Sequence, residues 1–103
     1  MTTRKQRNTL FLDLTNARFP LGQLVCTPCV ESNIPLPEVV SALDRYLAGD
    51  WGEVGKEDRA ENEFSLREGF RLFSVYRTKA GVKFWIITEA DRSVTTVLLA
   101  SEY

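Results

Sequence analysis

The sequence predicts an α+β fold, with two to three helices packed on a three- to four-stranded antiparallel meander sheet. Three observations carry that expectation. Gly69–Leu99 holds three runs rich in Phe, Tyr, Trp, Val, Ile and Thr, at Phe70–Tyr76, Val82–Thr88 and Val94–Leu99. Branched and flat side chains suit a pleated, half-buried surface, so each run reads as a strand. Between them, Ala80-Gly81 offers a short hairpin with a glycine free to take positive φ, and Ala90-Asp91-Arg92-Ser93 offers a polar turn in which Asp bonds back to its own backbone. Upstream, Leu36, Val39, Val40, Leu43, Tyr46 and Leu47 recur at helical spacing.

The remaining elements follow in chain order. Residues 1–8 are polar and carry Arg4, Lys5 and Arg7, which predicts a disordered basic arm ahead of a single domain over residues 9–103. Thr9–Leu14 reads as a short strand with Leu10, Leu12 and Leu14 on one face, able to pair with an edge of the meander. Asn16–Gly22 is a connector broken by Pro20 and Gly22, and Gln23–Cys26 is a second short extended run. Thr27-Pro28 starts a helical turn that is over by Pro35, because a threonine hydroxyl caps free amides and proline at the first helical position sacrifices no hydrogen bond. The amphipathic helix spans Pro37–Ala48, with Glu38, Ser41, Asp44 and Arg45 facing out and Gly49 after its end. Asp50–Gly55 places two glycines around Trp51, a loop that tucks the indole onto the core. Glu57–Glu68 is a solvated helix ended by Gly69, supported by Arg59–Glu63 and Glu63–Arg67 at i,i+4 with a few tenths of a kcal/mol each.

With 103 residues, 44% of them apolar, the chain suits one core and is too short for two. Thirteen basic and fourteen acidic side chains leave a net charge of −1, without the global basic field of a nucleic-acid binder, so nucleic acid is not an expected partner. No apolar run approaches the ~20 residues that span a bilayer, and MTTRKQRN lacks the apolar core of a secretion signal. The expectation is a cytoplasmic protein with no membrane association.

Alternation along the meander puts Leu72, Tyr76, Val82, Phe84, Ile86, Val94 and Leu98 on one face. The other face receives Phe73, Val75, Trp85, Ile87, Val97 and Leu99, with Arg71, Arg77, Lys83 and Glu89 at its ends. Both are apolar, so the sheet needs two covers. The helix Pro37–Ala48 supplies one; the amino-terminal segment, the weaker helix or a second copy supplies the other. A homodimer through the sheet, or an obligate protein partner, follows as an expectation.

Chemistry is sparse. Cys26-Thr27-Pro28-Cys29 has the CxxC spacing of metal and redox sites, yet the chain has no second pair and no histidine, so it offers half of a tetrahedral site. Small packed cysteines are the better reading, and no cofactor is expected. The acidic run Asp50, Glu53, Glu57, Asp58, Glu61 and Glu63 reads as a solvated surface, and without histidine the commonest general base is missing. No residue is assigned a catalytic role. The densest polar cluster in an apolar stretch is Thr88–Thr96, where Arg92 offers a bidentate fork that Asp91 or Glu89 can hold. Glu89, Asp91, Arg92, Ser93, Thr95 and Thr96, with the Trp51 loop, form the candidate binding surface.

Several stretches carry a resemblance. Leu21-Gly22-Gln23-Leu24-Val25 with Thr27-Pro28, Gly49-Asp50-Trp51-Gly52-Glu53, Gly69 with Arg71-Leu72, and the long run Trp85–Ser93 followed by Thr95-Thr96 and Leu98-Leu99 resemble a family of small bacterial proteins encoded by plasmids and other mobile elements. These are loosely labelled plasmid-related proteins or restriction-enzyme subunits. The resemblance covers about residues 21–103 and implies kinship without an established activity; its members often carry small non-thiol residues at the positions of Cys26 and Cys29. A second likeness is topological. A strand, two helices and a three-stranded meander is also the order in RelE/ParE-type toxins, which implies the alternative that Arg71, Arg77, Lys83 and Arg92 bind phosphate.

Overall fold

A computed structural model of the chain describes residues 14–103. The arm expected over residues 1–8 lies outside the described residues. So does the strand expected over Thr9–Leu14, apart from Leu14, which is exposed and belongs to no strand. Elements follow in the order β1 (Gln23–Cys26), α1 (Pro28–Asn33), α2 (Leu36–Leu47), α3 (Lys56–Glu68), β2 (Leu72–Arg77), β3 (Lys83–Thr88) and β4 (Val94–Leu99), with a 3-10 turn at Ala100–Glu102.

The four strands form one sheet in the order β1-β4-β3-β2. β2, β3 and β4 make the antiparallel meander that the sequence predicts, but β1 lies parallel to β4, so the sheet is mixed rather than purely antiparallel. The cause is the path between β1 and β2. Three helices carry the chain to the far edge and return it in the same direction, and two hairpins then bring β4 back alongside β1.

Pairing fixes the faces. Leu72, Ser74 and Tyr76 lie across from Thr88, Ile86 and Phe84, which in turn meet Thr95, Val97 and Leu99, and these nine positions form the core side. The expected placement of β4 is therefore corrected by one residue: Val97 and Leu99 turn inward, whereas Val94 and Leu98 turn out. The reason is polar. Buried Thr95 belongs to a hydrogen-bonded chain, in which Tyr46 Oη lies 2.7 Å from Thr88 Oγ1, Thr88 Oγ1 lies 2.8 Å from Thr95 Oγ1, and Thr95 donates to the Leu21 carbonyl at 2.7 Å. Each hydroxyl has one proton, so Thr95 accepts from Thr88 and Thr88 from Tyr46. Counting apolar residues alone cannot see a threonine that prefers the inside.

α2 covers this side with Val39, Ala42, Leu43, Tyr46 and Leu47, while Leu36, expected on the same stripe, is 52% exposed at its first turn. Tyr46, Phe19 and Trp51 cluster with ring centroids 5.2 to 6.2 Å apart. Full burial of such large side chains contributes roughly 1.5–3 kcal/mol each. α1 starts as expected, with the Thr27 hydroxyl accepting from the Val30 amide at 3.2 Å and Pro28 at its first position.

α3 differs from expectation in what it buries. Its buried residues are Asn62 and Ser65, and it stops at Gly69 with φ of 84°. The Asn62 amide donates to the Phe73 carbonyl at 2.6 Å and accepts from the Phe73 amide at 3.1 Å, which closes the outer edge of β2. Beside it, the Glu53 amide donates to the Val75 carbonyl at 2.7 Å. Glu63 is held by Arg18 through two hydrogen bonds of 2.9 and 3.0 Å and by the Trp51 indole at 2.9 Å, rather than by Arg59 or Arg67.

Candidate functional site

The turn after β3 is built from its own atoms. The Glu89 amide donates to Val94 O and the Arg92 amide to Glu89 O, while the Asp91 carboxylate accepts from the amide and hydroxyl of Ser93. Those bonds from Ser93 hold the Asp91 carboxyl below its usual range. Arg92 sits at φ of 62°, a left-handed position that a non-glycine residue occupies at a cost.

The guanidinium of Arg92 offsets that cost. Nη1 donates to the carbonyls of Phe70 (2.7 Å), Glu89 (3.1 Å) and Ala90 (3.2 Å), and Nη2 to that of Ser65 (3.1 Å). The expected partners, Asp91 or Glu89 carboxylates, do not hold it. Backbone carbonyls do, and they turn Arg92 into a clamp between the turn and the end of α3 rather than a free anion fork.

The other predicted contact residues divide by burial. Trp51 is 2% exposed, as expected of a loop that tucks its indole onto the core, and Thr95 is 0% exposed, so neither side chain reaches the surface. Trp51 is covered because the loop folds its indole onto Phe19 and Tyr46, and Thr95 because it completes the hydroxyl chain. Asp91 and Ser93 stay exposed at the tip of the turn, and Glu89 and Thr96 are half-buried.

Glu89 and Thr96 belong to a larger feature, the sheet face for which the amino-terminal segment, the weaker helix and a second copy were all open as covers. On the side of the sheet away from α2, β2 presents Phe73 and Val75, β3 presents Trp85 and Ile87, β4 presents Thr96 and Leu98, and β1 presents Val25. Trp85 meets Phe73 edge-on at 4.8 Å and Tyr103 at 4.4 Å. Phe73, Trp85, Ile87, Tyr103 and Arg71 line a shallow groove of 260 Å³. Val75 and Ile87 are buried on this side, and Tyr103, after the 3-10 turn, packs over Trp85; Phe73, Trp85, Thr96 and Leu98 are half-buried and Val25 is exposed. Its charged border has both signs, with Arg71 3.6 Å from Glu89 and Arg77 3.1 Å from Glu53, and Lys83 beside Arg77 in the register. The signal for this surface was present in the alternation of residues 73, 75, 85 and 87.

The two thiols differ in surroundings: Cys26 is half-buried and Cys29 exposed. Burial, with the nearby Glu31, pushes the half-buried Cys26 thiol up, and a hydrogen bond with Glu102 pushes exposed Cys29 up. Among the described residues no three His, Cys, Asp or Glu side chains gather to hold an ion. Three of the six carboxylates in the acidic run are instead held by separate arginines: Asp50 by Arg45, Glu53 by Arg77 and Glu63 by Arg18.

Comparison with family models, with curated proteins and with solved structures finds no match for this chain. Among the described residues no helix is long and apolar enough to cross a membrane.

Proposed function

We propose that the protein is a non-enzymatic binding module, of the mobile-element type suggested by its sequence resemblance, which holds a protein partner on the open face of its sheet. One observation carries the reading: the face away from α2 leaves the apolar Phe73, Trp85 and Leu98 half-exposed beside exposed Val25, and partly exposed apolar side chains gathered in this way mark docking surfaces. The centre of the surface has the anatomy of a docking site, with aromatic anchors around a groove and a charged rim of both signs. Glu89 and Thr96 lie on its margin, so the turn contributes there, while Arg92 shapes it from behind.

Affinity capture from the cells that encode the protein tests this, comparing the wild type with Trp85→Asp. A specific partner retained by the first and lost by the second supports the reading; equal retention sinks it. A second reading has its own observation. Phe73, Trp85 and Tyr103 stand with Arg71, Arg77 and Lys83 on one sheet face, and rings with nearby cations also bind single-stranded nucleic acid by stacking. Fluorescence titration with a single-stranded oligonucleotide at physiological salt separates the two. Quenching that is lost in Arg71→Ala and Lys83→Ala would favour the nucleic acid, and the protein-binding reading expects none.

A further inference from the structure

The two edges of the sheet are treated differently. On β2, Asn62 occupies the amide and carbonyl of Phe73, and the Gly52–Glu53 loop takes the carbonyl of Val75. On β1, no described residue is hydrogen-bonded along the outer side. β1 is short, but Gln23-Leu24-Val25-Cys26 has no charge, no proline and no bulge to protect the edge. Its two central side chains are apolar and exposed, Leu24 at 41% and Val25 at 38%.

We propose that this edge is closed by a second copy of the chain, β1 pairing antiparallel with the partner's β1 across a two-fold axis through Val25. The backbone sets the register. The amides of Gln23 and Thr27 donate to the carbonyls of Ser93, just before β4, and of Val97 within it, so the alternate residues 23, 25 and 27 turn their peptide groups toward β4. Leu24 and Cys26 therefore turn theirs outward. A two-fold axis perpendicular to the sheet keeps each face on its own side, which requires residues of the same parity to meet. Centring it on Val25 places Leu24 opposite the partner's Cys26 as a hydrogen-bonded pair, and its symmetry mate repeats this, giving four backbone bonds. Val25 meets the partner's Val25 at the closely spaced position between them.

The side chains agree with that register. Gln23 would face the partner's Thr27, Leu24 the partner's Cys26 and Val25 itself, so polar meets polar and apolar meets apolar in a pattern that reads the same from both ends. No charged residue of β1 is brought against its own copy. The two open faces then join into one eight-stranded surface, with Val25 at its centre and a Trp85 groove on either side. This inference goes beyond the binding module, and although Val25 borders both surfaces the two are tested apart: partner capture is read at Trp85 on β3, two strands from the axis, and dimerisation at residue 25.

Sedimentation velocity of the full chain from low micromolar to millimolar concentration tests it, with Val25→Lys and Val25→Asp alongside. Val25 is exposed, so both variants keep the wild-type circular dichroism spectrum. The wild type is expected to dimerise, each variant alone to weaken the dimer by roughly tenfold or more through like charges at the axis, and an equimolar mixture of the two to restore it. Three results would overturn the proposal: a wild-type monomer throughout, a dimer indifferent to charge at residue 25, or charged variants whose mixture gains nothing.

Discussion

At the scale of single residues, Arg92 does the work of several. Its side chain satisfies four carbonyls at the junction of the last turn and the end of α3 while its backbone stays left-handed. Arg92→Ala should cost about 2–3 kcal/mol in chemical denaturation, since it keeps the unfavourable φ and removes charge-assisted bonds. Arg92→Gly should be more stable than Arg92→Ala by about 1 kcal/mol, because glycine accepts that φ freely. Equal values for the two variants would show that the backbone carries no strain. Glu63 offers a pH signature. Arg18 first, and the Trp51 indole second, hold its carboxyl below the ordinary range. Its contribution is therefore fully present above the ordinary carboxylate pKa and is lost as pH falls through the depressed one. Thermal melts between pH 7 and pH 3 should show Glu63→Gln losing less stability on acidification than the wild type. The turn illustrates how far single residues could be read: its position and its Asp91–Ser93 bonds follow from local chemistry, but two of the four carbonyls that hold Arg92, those of Ser65 and Phe70, are brought near only by the folded chain.

At the scale of elements, Asn62 is the informative case. One amide stands in for a neighbouring strand, and Asn62→Ala should cost about 2–3 kcal/mol by leaving both polar groups of Phe73 unpaired. It should also raise aggregation above the melting onset, read by light scattering, because the second edge is then bare. Gly52 lies in the same closure. It has φ of 75°, and an added Cβ would collide with the Val75 carbonyl, so Gly52→Ala should cost about 3 kcal/mol. The meander, α2 and the extent of α3 were legible because their signals are local: runs of branched residues, helical spacing, and Gly69 as a stop. The parallel pairing of β1 was not, since four uncharged residues fit either direction and topology alone decides. Nor was the role of α3, whose contact with the sheet is a polar side chain on a backbone rather than an apolar stripe.

At the scale of the whole molecule, the protein has one face packed and one face open, and its two tryptophans report on them separately. Trp51 is buried with Phe19 and Tyr46, whereas Trp85 is only half-buried on the open side. Acrylamide should quench a distinct component of the fluorescence, and Trp85→Phe should abolish that component while Trp51→Phe leaves it. A wild type with one shielded population would mean that the open face is covered in solution. The parallel pairing of β1 also orders the assembly in time. Gln23 and Val94 are partners 71 positions apart, while β2, β3 and β4 are joined by short hairpins. Closing the longer loop costs more chain entropy, so the meander should form first and β1 should dock last. A strand that arrives last is also the one released most cheaply. The Val25 amide should therefore exchange with solvent through a small local opening, while the amides of β3 wait for the chain to unfold.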